Sequence, residues 1–386
     1  MAPLDLLLDL LPIPGPSGQE AAIQTRVRNY LVEAGVPGEW IQVDEAHRRS
    51  PHPQGVGNLI VQFPGTERAP RRMLVSHLDT VPLCAGCQPR RKGHFLRSAD
   101  PTTGLGADNR AGVAVVLSTA LRLLREEVPH PPLTLLWTVQ EEIGLQGARL
   151  VQRSRLGRPR MAFNWDGGSS SKVTIGATGG YRMQIEVQGK ASHAGNAPEK
   201  GISAIAIAAL AIAQLQQQGW HGAIQQRGRK GTSNVGVIQG GAATNVVTDQ
   251  LLVRAEARSH DPQFRQQIVA HIEEAFREAV TKVRNTQGEV GRVKFRGQLD
   301  YESFALPTGH PVVQEAIEAV RATGREPELA ISNGGLDANW LTAYGIPTVT
   351  FGCGQMFPHT LEEALDVREF EVACEVAWNL ARGQAP

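Results

Sequence analysis

Five short apolar runs, each of the length of a buried strand, alternate with amphipathic stretches over the first 178 residues of this chain. They are NLIVQF at 58–63, MLVSH at 73–77, LTLLWTV at 133–139, MAFNW at 161–165 and KVTIGAT at 172–178. The stretch Asp108–Glu127 opens with an acidic residue and carries apolar residues at helical spacing. Apolar strands separated by amphipathic helices are typical of an α/β fold with a mixed, largely parallel sheet flanked by helices.

The pattern changes after residue 178, where YRMQIEVQG alternates strictly between apolar and polar residues. A helix-like stretch at 199–217, the strands SNVGVIQGG and QLLVRAEARS, a helix-like stretch at 262–284 and the strand GRVKFRG follow in order. This β-α-β-β-α-β order is the ferredoxin-like pattern. Helix and strand patterns then resume at 311–323, 335–343, IPTVTFG and 367–380. We therefore predict a larger domain at 1–178 and 298–386, interrupted by an inserted α+β domain at 179–297.

The balance of charge excludes several classes of partner. Lys and Arg total 39 and Asp and Glu total 38, so the net charge of +1 does not predict nucleic-acid binding. The first apolar run is broken by Asp5 and Asp9, which favours an amphipathic helix over a signal peptide, and no apolar run is long enough to span a membrane. We expect a cytoplasmic protein that acts on a small molecule.

The four cysteines are too sparse for a disulfide framework, and reduced thiols are the expectation. Cys84 and Cys87 form a C-x-x-C pair, which leaves a reversible redox pair or part of a zinc site open. A zinc site needs two further ligands, and His94 is the one nearby candidate.

Polar side chains that could bind a metal occur at the end of one predicted strand and at the start of one predicted helix. His77 and Asp79 come where the run 73–77 ends, and alternate residues of a strand face the same side, so Asp79 could orient the imidazole. A hydrogen-bonded pair without a metal is the alternative. Asp108 follows the glycine-rich turn Gly104–Gly106 at the start of a helix, where it could equally be an N-cap.

Three further sites of this kind follow apolar runs. Glu141 and Glu142 come after 133–139, Asp166 after 161–165, and His359 after IPTVTFG and a glycine-rich loop. Of two adjacent carboxylates, one can bind a metal while the other accepts a proton. A solvated pair at a strand end is the alternative. Together these residues supply the mixed nitrogen and oxygen ligands that suit Zn²⁺ or Co²⁺.

The chain resembles the co-catalytic metallopeptidases that include peptidase T, carboxypeptidase G, acetylornithine deacetylase and succinyl-diaminopimelate desuccinylase. The resemblance covers nearly the full length. It rests on ten motifs in order: SGQE (17–20), HLDTV (77–81), GADNRAG (106–112), QEEIGLQGA (140–148), WDGG (165–168), KASHAG (190–195), ATNVVTD (243–249), RSHD (258–261), GGLDAN (334–339) and PHT (358–360).

The resemblance implies a dinuclear centre in the larger domain, with zinc expected and cobalt or manganese as alternatives. The implied ligands are His77, Asp108, Glu142, Asp166 and His359. Asp108 would bridge the two ions, Asp79 would orient His77, and Glu141 would be the general base. The peptide bond between Asp108 and Asn109 is implied to be cis.

The resemblance also implies that the inserted domain serves as a lid and forms a homodimer. His193 would stabilise the oxyanion, often from the other subunit. The implied substrate contacts are Asn245, Arg258, Gly334, Gly335 and Asp337.

The stretch SNGGLDANWLTAYGIPTVTFGCGQMFPHT is closer to peptidase T than to the deacetylases. It implies an aminopeptidase or tripeptidase that hydrolyses amide bonds of short peptides. Asn333 stands where peptidase T has an arginine, so a carboxypeptidase or an N-acyl amino acid deacylase stays open as the alternative. A catalytically silent binding or scaffold relative is the non-enzymatic alternative, and the presence of all five implied ligands and Glu141 argues against it.

Overall fold

A computed structural model describes residues 1–383 of the chain. Its helices are α1 (Pro3–Leu10), α2 (Ala21–Glu33), α3 (Ala107–Glu126), α4 (Gln146–Leu150), α5 (Ala204–Gln217), α6 (Pro262–Lys282), α7 (Pro311–Arg321), α8 (Asp337–Ala343) and α9 (Val367–Arg382). Its strands are β1 (Ile41–Val43), β2 (Leu59–Phe63), β3 (Arg72–His77), β4 (Pro89–Lys92), β5 (Phe95–Ser98), β6 (Leu133–Thr138), β7 (Met161–Trp165), β8 (Lys172–Ala177), β9 (Gly179–Gln188), β10 (Gly222–Gln226), β11 (Arg229–Gly240), β12 (Gln250–Ser259), β13 (Arg292–Tyr301), β14 (Phe304–Ala305), β15 (Glu328–Ser332), β16 (Thr348–Phe351), β17 (Gln355–Met356) and β18 (Ala364–Asp366).

The chain folds into two compact units. One contains Met1–Ala177 and the chain from Phe304 onward, and the other is Thr178–Ser303. The predicted boundary at 297/298 falls inside β13, which continues to Tyr301 because it pairs with β9 along its whole length, out to Gly180. The first unit is called the α/β unit below, and the second the inserted unit.

A mixed sheet runs through the α/β unit in the order β1-β2-β6-β3-β7-β16-β8-β14, with β15 beside β8. Its central strands β6, β3, β7 and β16 are parallel, whereas β1, β2 and β14 pair antiparallel to their neighbours. The carboxyl ends of parallel strands lie at one edge of a sheet, which is where ligands bind in such folds. The register sets His77, the last residue of β3, beside Thr138, the last of β6.

Both faces of this sheet are covered, which explains why its strands read as continuous apolar runs. In β3, Leu74 belongs to the main core with α1, α3 and α9, while Met73 and Val75 belong to a second cluster on the other face with Leu341 of α8. All three β3 side chains are fully buried. Burying each contributes about 1.5–3 kcal/mol relative to leaving it exposed.

A second, four-stranded sheet in the α/β unit, in the order β17-β18-β5-β4, was not predicted from the sequence. Its strands are two to four residues long, and β4 reads PRRK with three exposed side chains. Such segments carry no apolar alternation, and β5 finds its partner β18 only in the last part of the chain. Pairing decided by residues so far apart in sequence leaves no local signal.

The inserted unit is a five-stranded antiparallel sheet in the order β10-β11-β12-β9-β13. Helices α5 and α6 bury Ile207, Ile268 and Phe276 against Ile185 and Val253 of the sheet. The predicted β-α-β-β-α-β order is present, with one strand added. The extra strand β10 (GAIQQ) is a short edge strand with one buried apolar side chain, which is why its sequence did not stand out.

No helix within residues 1–383 has the length and the apolar content needed to cross a membrane. The N-terminal segment forms the predicted amphipathic helix, with Leu6, Leu7 and Leu10 of α1 buried.

Candidate metal-binding active site

Three of the implied ligands lie at the carboxyl ends of central strands, one lies at the start of a helix, and one lies in a loop of the small sheet. His77 ends β3, Glu142 follows β6, Asp166 follows β7, and Asp108 lies in the first turn of α3. His359 lies between β17 and β18. The topology of the α/β unit therefore gathers ligands that are up to 282 residues apart along the chain, from His77 to His359.

Asp108 lies between the two histidines. His77 Nε2 is 3.2 Å from Asp108 Oδ1, and His359 Nε2 is 3.2 Å from Asp108 Oδ2. His359 Nε2 is also 2.9 Å from Glu142 Oε2. Ligand atoms of His77, Asp108 and Glu142 all lie within 4.8 Å of one another. One carboxylate thus faces a histidine nitrogen from each of its oxygens.

The local backbone turns the Asp108 carboxylate out of the helix. Asp108 and Asn109 have non-helical φ/ψ values of −84°/101° and −124°/38°. The peptide bond between them is cis, which confirms what the resemblance implied. Asn109 Nδ2 donates to the Trp165 carbonyl at 2.7 Å, and Asn109 Oδ1 accepts from the Gly112 amide at 3.0 Å. A Cβ at Gly112 would lie 2.4 Å from both of these oxygens, so glycine is required there.

Asp79 has a wider role than the one expected of it. His77 Nδ1 lies 3.1 Å from the Asp79 backbone carbonyl and 3.4 Å from the carboxylate Oδ1. The carboxylate also accepts the amide N–H groups of Glu141 (3.0 Å) and Glu142 (3.1 Å) and the hydroxyl of Ser17 (2.6 Å). Asp79 therefore connects the histidine and the backbone of the two glutamates through one carboxylate.

Two further carboxyl groups, Glu141 and Asp337, lie close to the implied ligands. Burial raises the pKa of Glu141 well above its usual range, and the negative charges of Glu142, Asp166 and Asp337 raise it further against the opposing effect of His77. Asp337 is 1% exposed and accepts a hydrogen bond from the Thr138 hydroxyl, and burial raises its pKa to about 6. A carboxylate with a raised pKa is suited to accept and return a proton near neutral pH.

The site holds more carboxyl groups than cationic side chains. Burial and the Asp108 charge raise the pKa of Asp166 to about 8, and burial raises the pKa of Glu142. Hydrogen bonds to Asp108 and Glu142 raise the pKa of His359 to about 10. Asp108 Oδ1 is buried and accepts no well-aligned hydrogen bond from residues 1–383. A buried oxygen of this kind, in a crowd of carboxylates and imidazoles, fits divalent cations that take mixed nitrogen and oxygen ligands.

These pKa values predict opposite pH responses with and without zinc. Asp166 and His359 have folded-state pKa values above their ordinary 3.8 and 6.5, so between about pH 6.5 and 8 the folded chain binds more protons than the unfolded chain. With a chelator present, stability should fall as the pH rises through this window. Ligands lose protons when they bind zinc, so the zinc-induced rise in Tm should grow with pH. Calorimetry near pH 6 and pH 8 measures the Tm of the chelator-treated protein and the rise in Tm that zinc causes. A zinc-induced rise in Tm that is the same at both pH values would contradict the prediction.

The implied substrate residues of the α/β unit differ in exposure. Gly334 and Gly335 are partly exposed in the loop after β15, and the Gly334 amide donates to Ser332 Oγ at 3.1 Å. Asp337, by contrast, is covered by protein, and its contact is with Thr138. Substrate binding by these residues stays a prediction.

In the inserted unit, His193 and Asn245 lie side by side. The Ala194 amide donates to the Asn245 carbonyl at 2.9 Å, and both His193 and Asn245 are exposed. Arg258 lies on β12 and forms an ion pair with Glu256, to whose carboxylate its Nε and Nη2 donate at 3.0 Å each. The roles of these three residues stay predictions.

Three residues that bind the loops of the site were not predicted from the sequence: Ser17 through its hydroxyl, and Glu20 and Glu363 through their carboxylates. Glu20 is fully buried and accepts the amide N–H of Gln140 at 3.0 Å, next to Glu141. Ser17 and Glu20 both belong to the SGQE motif, which was the available signal. For Glu363 there was none beyond its place four residues after His359.

Cys84 and Cys87 are both buried free thiols. Burial raises the pKa of Cys87 to about 11 and moves that of Cys84 higher still, and Cys84 Sγ lies 3.3 Å from Glu363 Oε2. Within residues 1–383 no cysteine belongs to a group of three ligand atoms close enough to hold an ion. These contacts favour reduced thiols over a zinc site.

Two protein families match parts of the chain. The peptidase dimerisation domain of the M20 peptidases matches residues 175–283, which cover most of the inserted unit. Peptidase family M28 matches residues 58–204, which include four of the five implied ligands. Both matches are to peptidases.

Three similar proteins extend over nearly the whole chain. The uncharacterised protein YqjE of Bacillus subtilis is 32% identical over 97% of this chain and 95% of its own length. The crystal structure of a tripeptidase from Staphylococcus aureus is 29% identical, has a TM-score of 0.87 and covers 99% of this chain and 98% of its own. Aminopeptidase PepT from Bacillus cereus is 31% identical, with a TM-score of 0.82 and coverage of 98% and 97%. The chain therefore belongs to the M20 family of metallopeptidases, in the branch that contains peptidase T.

Proposed function

We propose that this metal-dependent peptide hydrolase is a dinuclear exopeptidase that removes the amino-terminal residue from short peptides, as an aminopeptidase or tripeptidase. The observation that carries the proposal is the Asp108 carboxylate, which faces His77 with one oxygen and His359 with the other, each at 3.2 Å. The similar solved structures named as a tripeptidase and as aminopeptidase PepT support the choice of substrate end.

In this proposal, five side chains hold two divalent ions, zinc by preference and cobalt or manganese as alternatives. They are His77, Asp108, Glu142, Asp166 and His359. Bound ions would supply Lewis acidity, which eases the ionisation of water and polarises the scissile carbonyl. Asp108 would be shared between the two ions because each of its oxygens faces a different histidine.

Glu141 is proposed to move the proton. Its backbone is held by Asp79, and its raised pKa suits it to take a proton from the attacking water and return it to the leaving amine. Asp79 holds the His77 ring from the side away from Asp108, because Nδ1 faces the Asp79 carbonyl and Nε2 faces Asp108. Asp79 is therefore a positioning residue in this proposal.

His193 is proposed to stabilise the oxyanion. Its Nδ1 accepts hydrogen bonds from the amides of Gly195 and Asn196, each at 3.1 Å. A neutral imidazole whose Nδ1 is an acceptor carries its proton on Nε2. The loop thus prepares an N–H donor on the exposed side of the ring, which is the group that an oxyanion requires.

The substrate end can be tested with the peptide Ala-Gly-Leu and its blocked forms, using protein reconstituted with zinc. We expect alanine and Gly-Leu as products, and no hydrolysis of the N-acetylated peptide, because the proposal requires a free amino terminus. Mass spectrometry of the products identifies which bond is cut. The same protein treated with a chelator is the control.

The other candidate functions give different products in this assay. A carboxypeptidase releases leucine and accepts the N-acetylated peptide, and a deacylase cleaves N-acetyl-leucine. A silent relative cleaves none of them. Any of these results would replace the proposed aminopeptidase activity.

The proposal includes a homodimer formed through the inserted unit, supported by the match to a peptidase dimerisation domain. β10 pairs with Arg229–Ser233 of β11, and beyond it β11 pairs with no strand on its outer side within residues 1–383. Ile238 on this part of β11 is 54% exposed, and Ile205 and Leu210 of α5 are also exposed. An open strand edge beside exposed apolar side chains favours pairing with a second copy.

A cytoplasmic location is also proposed, in keeping with four free cysteines.

Light scattering should give about twice the chain mass of 41.7 kDa for the wild type. Ile238→Lys should shift the protein toward the monomer, because a charge at an apolar, desolvated interface is costly. Ile331→Lys is the matched control, since Ile331 is 53% exposed but lies on β15 of the α/β unit. Equal masses for both variants would count against this interface.

A further inference from the structure

Glu363 is a buried carboxylate for which the proposed mechanism has no chemical role. It is 1% exposed and precedes β18. Its Oε2 accepts the Gly106 amide at 2.7 Å and faces Cys84 Sγ at 3.3 Å, and its Oε1 accepts the Asp108 amide at 3.0 Å. A buried carboxylate is costly unless its oxygens are satisfied, and here the partners are two backbone amides and a thiol.

These contacts join the two loops that meet at the centre of the site. Glu363 binds the backbone of Asp108 itself, and its own amide donates to the Thr360 carbonyl, one residue after His359, at 3.2 Å. The side chains of Asp108 and His359 face each other at 3.2 Å. Glu363 therefore links the backbones that carry these two side chains, through its carboxylate on the Asp108 side and through its own amide on the His359 side.

The surrounding glycines show how closely the two loops approach. A Cβ at Gly104 would lie 3.1 Å from both Glu363 Oε2 and the Thr360 carbonyl. Gly106 has a φ of 75°, which favours glycine and turns its amide toward Glu363. The glycine-rich segment before Asp108 is thus in direct contact with the Glu363 carboxylate, with little room for a larger side chain at Gly104.

We propose that Glu363 is a positioning residue that sets the distance between Asp108 and His359 and so the affinity of the site for divalent ions. The proposal rests on the metal centre proposed above. A carboxylate is needed because all of its partners are donors, and an amide side chain would point its own N–H group at one of them. Residues that orient metal ligands in this way typically change metal affinity by about 10–100-fold when replaced.

The test compares Glu363→Gln with Glu362→Gln, which makes the same change at the exposed neighbouring residue. Zinc affinity is measured by competition with a chromophoric chelator, and the Tm of each chelator-treated protein is measured separately. We expect zinc to bind Glu363→Gln about 10–100-fold more weakly than the wild type, and Glu362→Gln to bind it as the wild type does. If Glu363→Gln does not fold, Glu363→Asp, which keeps the charge but withdraws the oxygens by one methylene, is judged by the same measure.

The possible results separate this inference from the proposed function. Zinc binding by the variant that equals wild-type binding would overturn the role of Glu363, even if the Tm falls, because only the fold would then depend on it. A wild type that binds no zinc would overturn the metal centre itself.

Discussion

Glu141→Gln should lower turnover by about 10²–10⁴-fold, the usual range for loss of a general base, while leaving zinc binding unchanged. The amide has nearly the shape of the carboxylate but cannot accept the proton of the attacking water. Because burial raises the pKa of Glu141 well above its usual range, a neutral amide at this position should not lower the Tm of the chelator-treated protein. Steady-state kinetics, metal analysis and calorimetry provide the three measurements.

Glu142→Gln is the matched comparison, since it makes the same change one residue away. Glu142 contacts His359 at 2.9 Å, so its replacement should weaken zinc binding as well as turnover. The same substitution is therefore expected to lower only turnover at Glu141, and both turnover and zinc binding at Glu142. A Glu141→Gln variant that keeps wild-type turnover would refute its role as base, and one that loses zinc would make it a ligand instead.

Asp108→Asn should weaken zinc binding by more than the roughly 10–100-fold that follows from losing a residue that only orients a ligand. Asp108 faces both histidines, so its replacement removes the one carboxylate that lies between them, which is the proposed shared ligand. Turnover should fall below detection as a consequence. Metal analysis after dialysis against zinc should find fewer ions per chain than in the wild type.

Asp100→Asn is the control for this variant. Asp100 lies in the loop before the glycine-rich turn, and its carboxylate accepts the amide and the hydroxyl of Thr102 at 2.8 and 2.7 Å. Loss of these contacts should leave zinc binding unchanged. Retention of full zinc content and activity by Asp108→Asn would exclude it as the shared ligand.

The α/β fold was predictable because the central strands are buried on both faces. Leu74 packs toward one core while Met73 and Val75 pack toward the other, so all three positions must be apolar. The small second sheet and the edge strand β10 were not predictable. Their strands are short and mostly exposed, and pairing with distant segments, rather than a local apolar pattern, makes them strands.

The candidate site shows the same division. Placing a polar residue directly after a buried strand brings it to the ligand-binding edge of a parallel sheet, so His77, Glu142 and Asp166 could be proposed as neighbours from position alone. Asp79 was expected to orient His77, but its contacts with backbone amides, and those of Glu363, could not be foreseen. Their carboxylates bind backbone amides of Glu141, Glu142, Gly106 and Asp108, and an amide N–H has no identity that a sequence pattern can reveal.

The sequence by itself thus determined the chemistry available to this protein: which imidazoles and carboxylates follow which strands, and hence that a metal-dependent hydrolase is their best use. The tertiary structure alone decided how these groups are held, with Asp108 between two histidines, Asp337 covered and Glu363 joining two ligand loops. The reason is that a residue's type and its place after a strand are local properties. The separation of two loops is set instead by contacts between segments as far apart as Asp108 and Glu363, 255 residues along the chain.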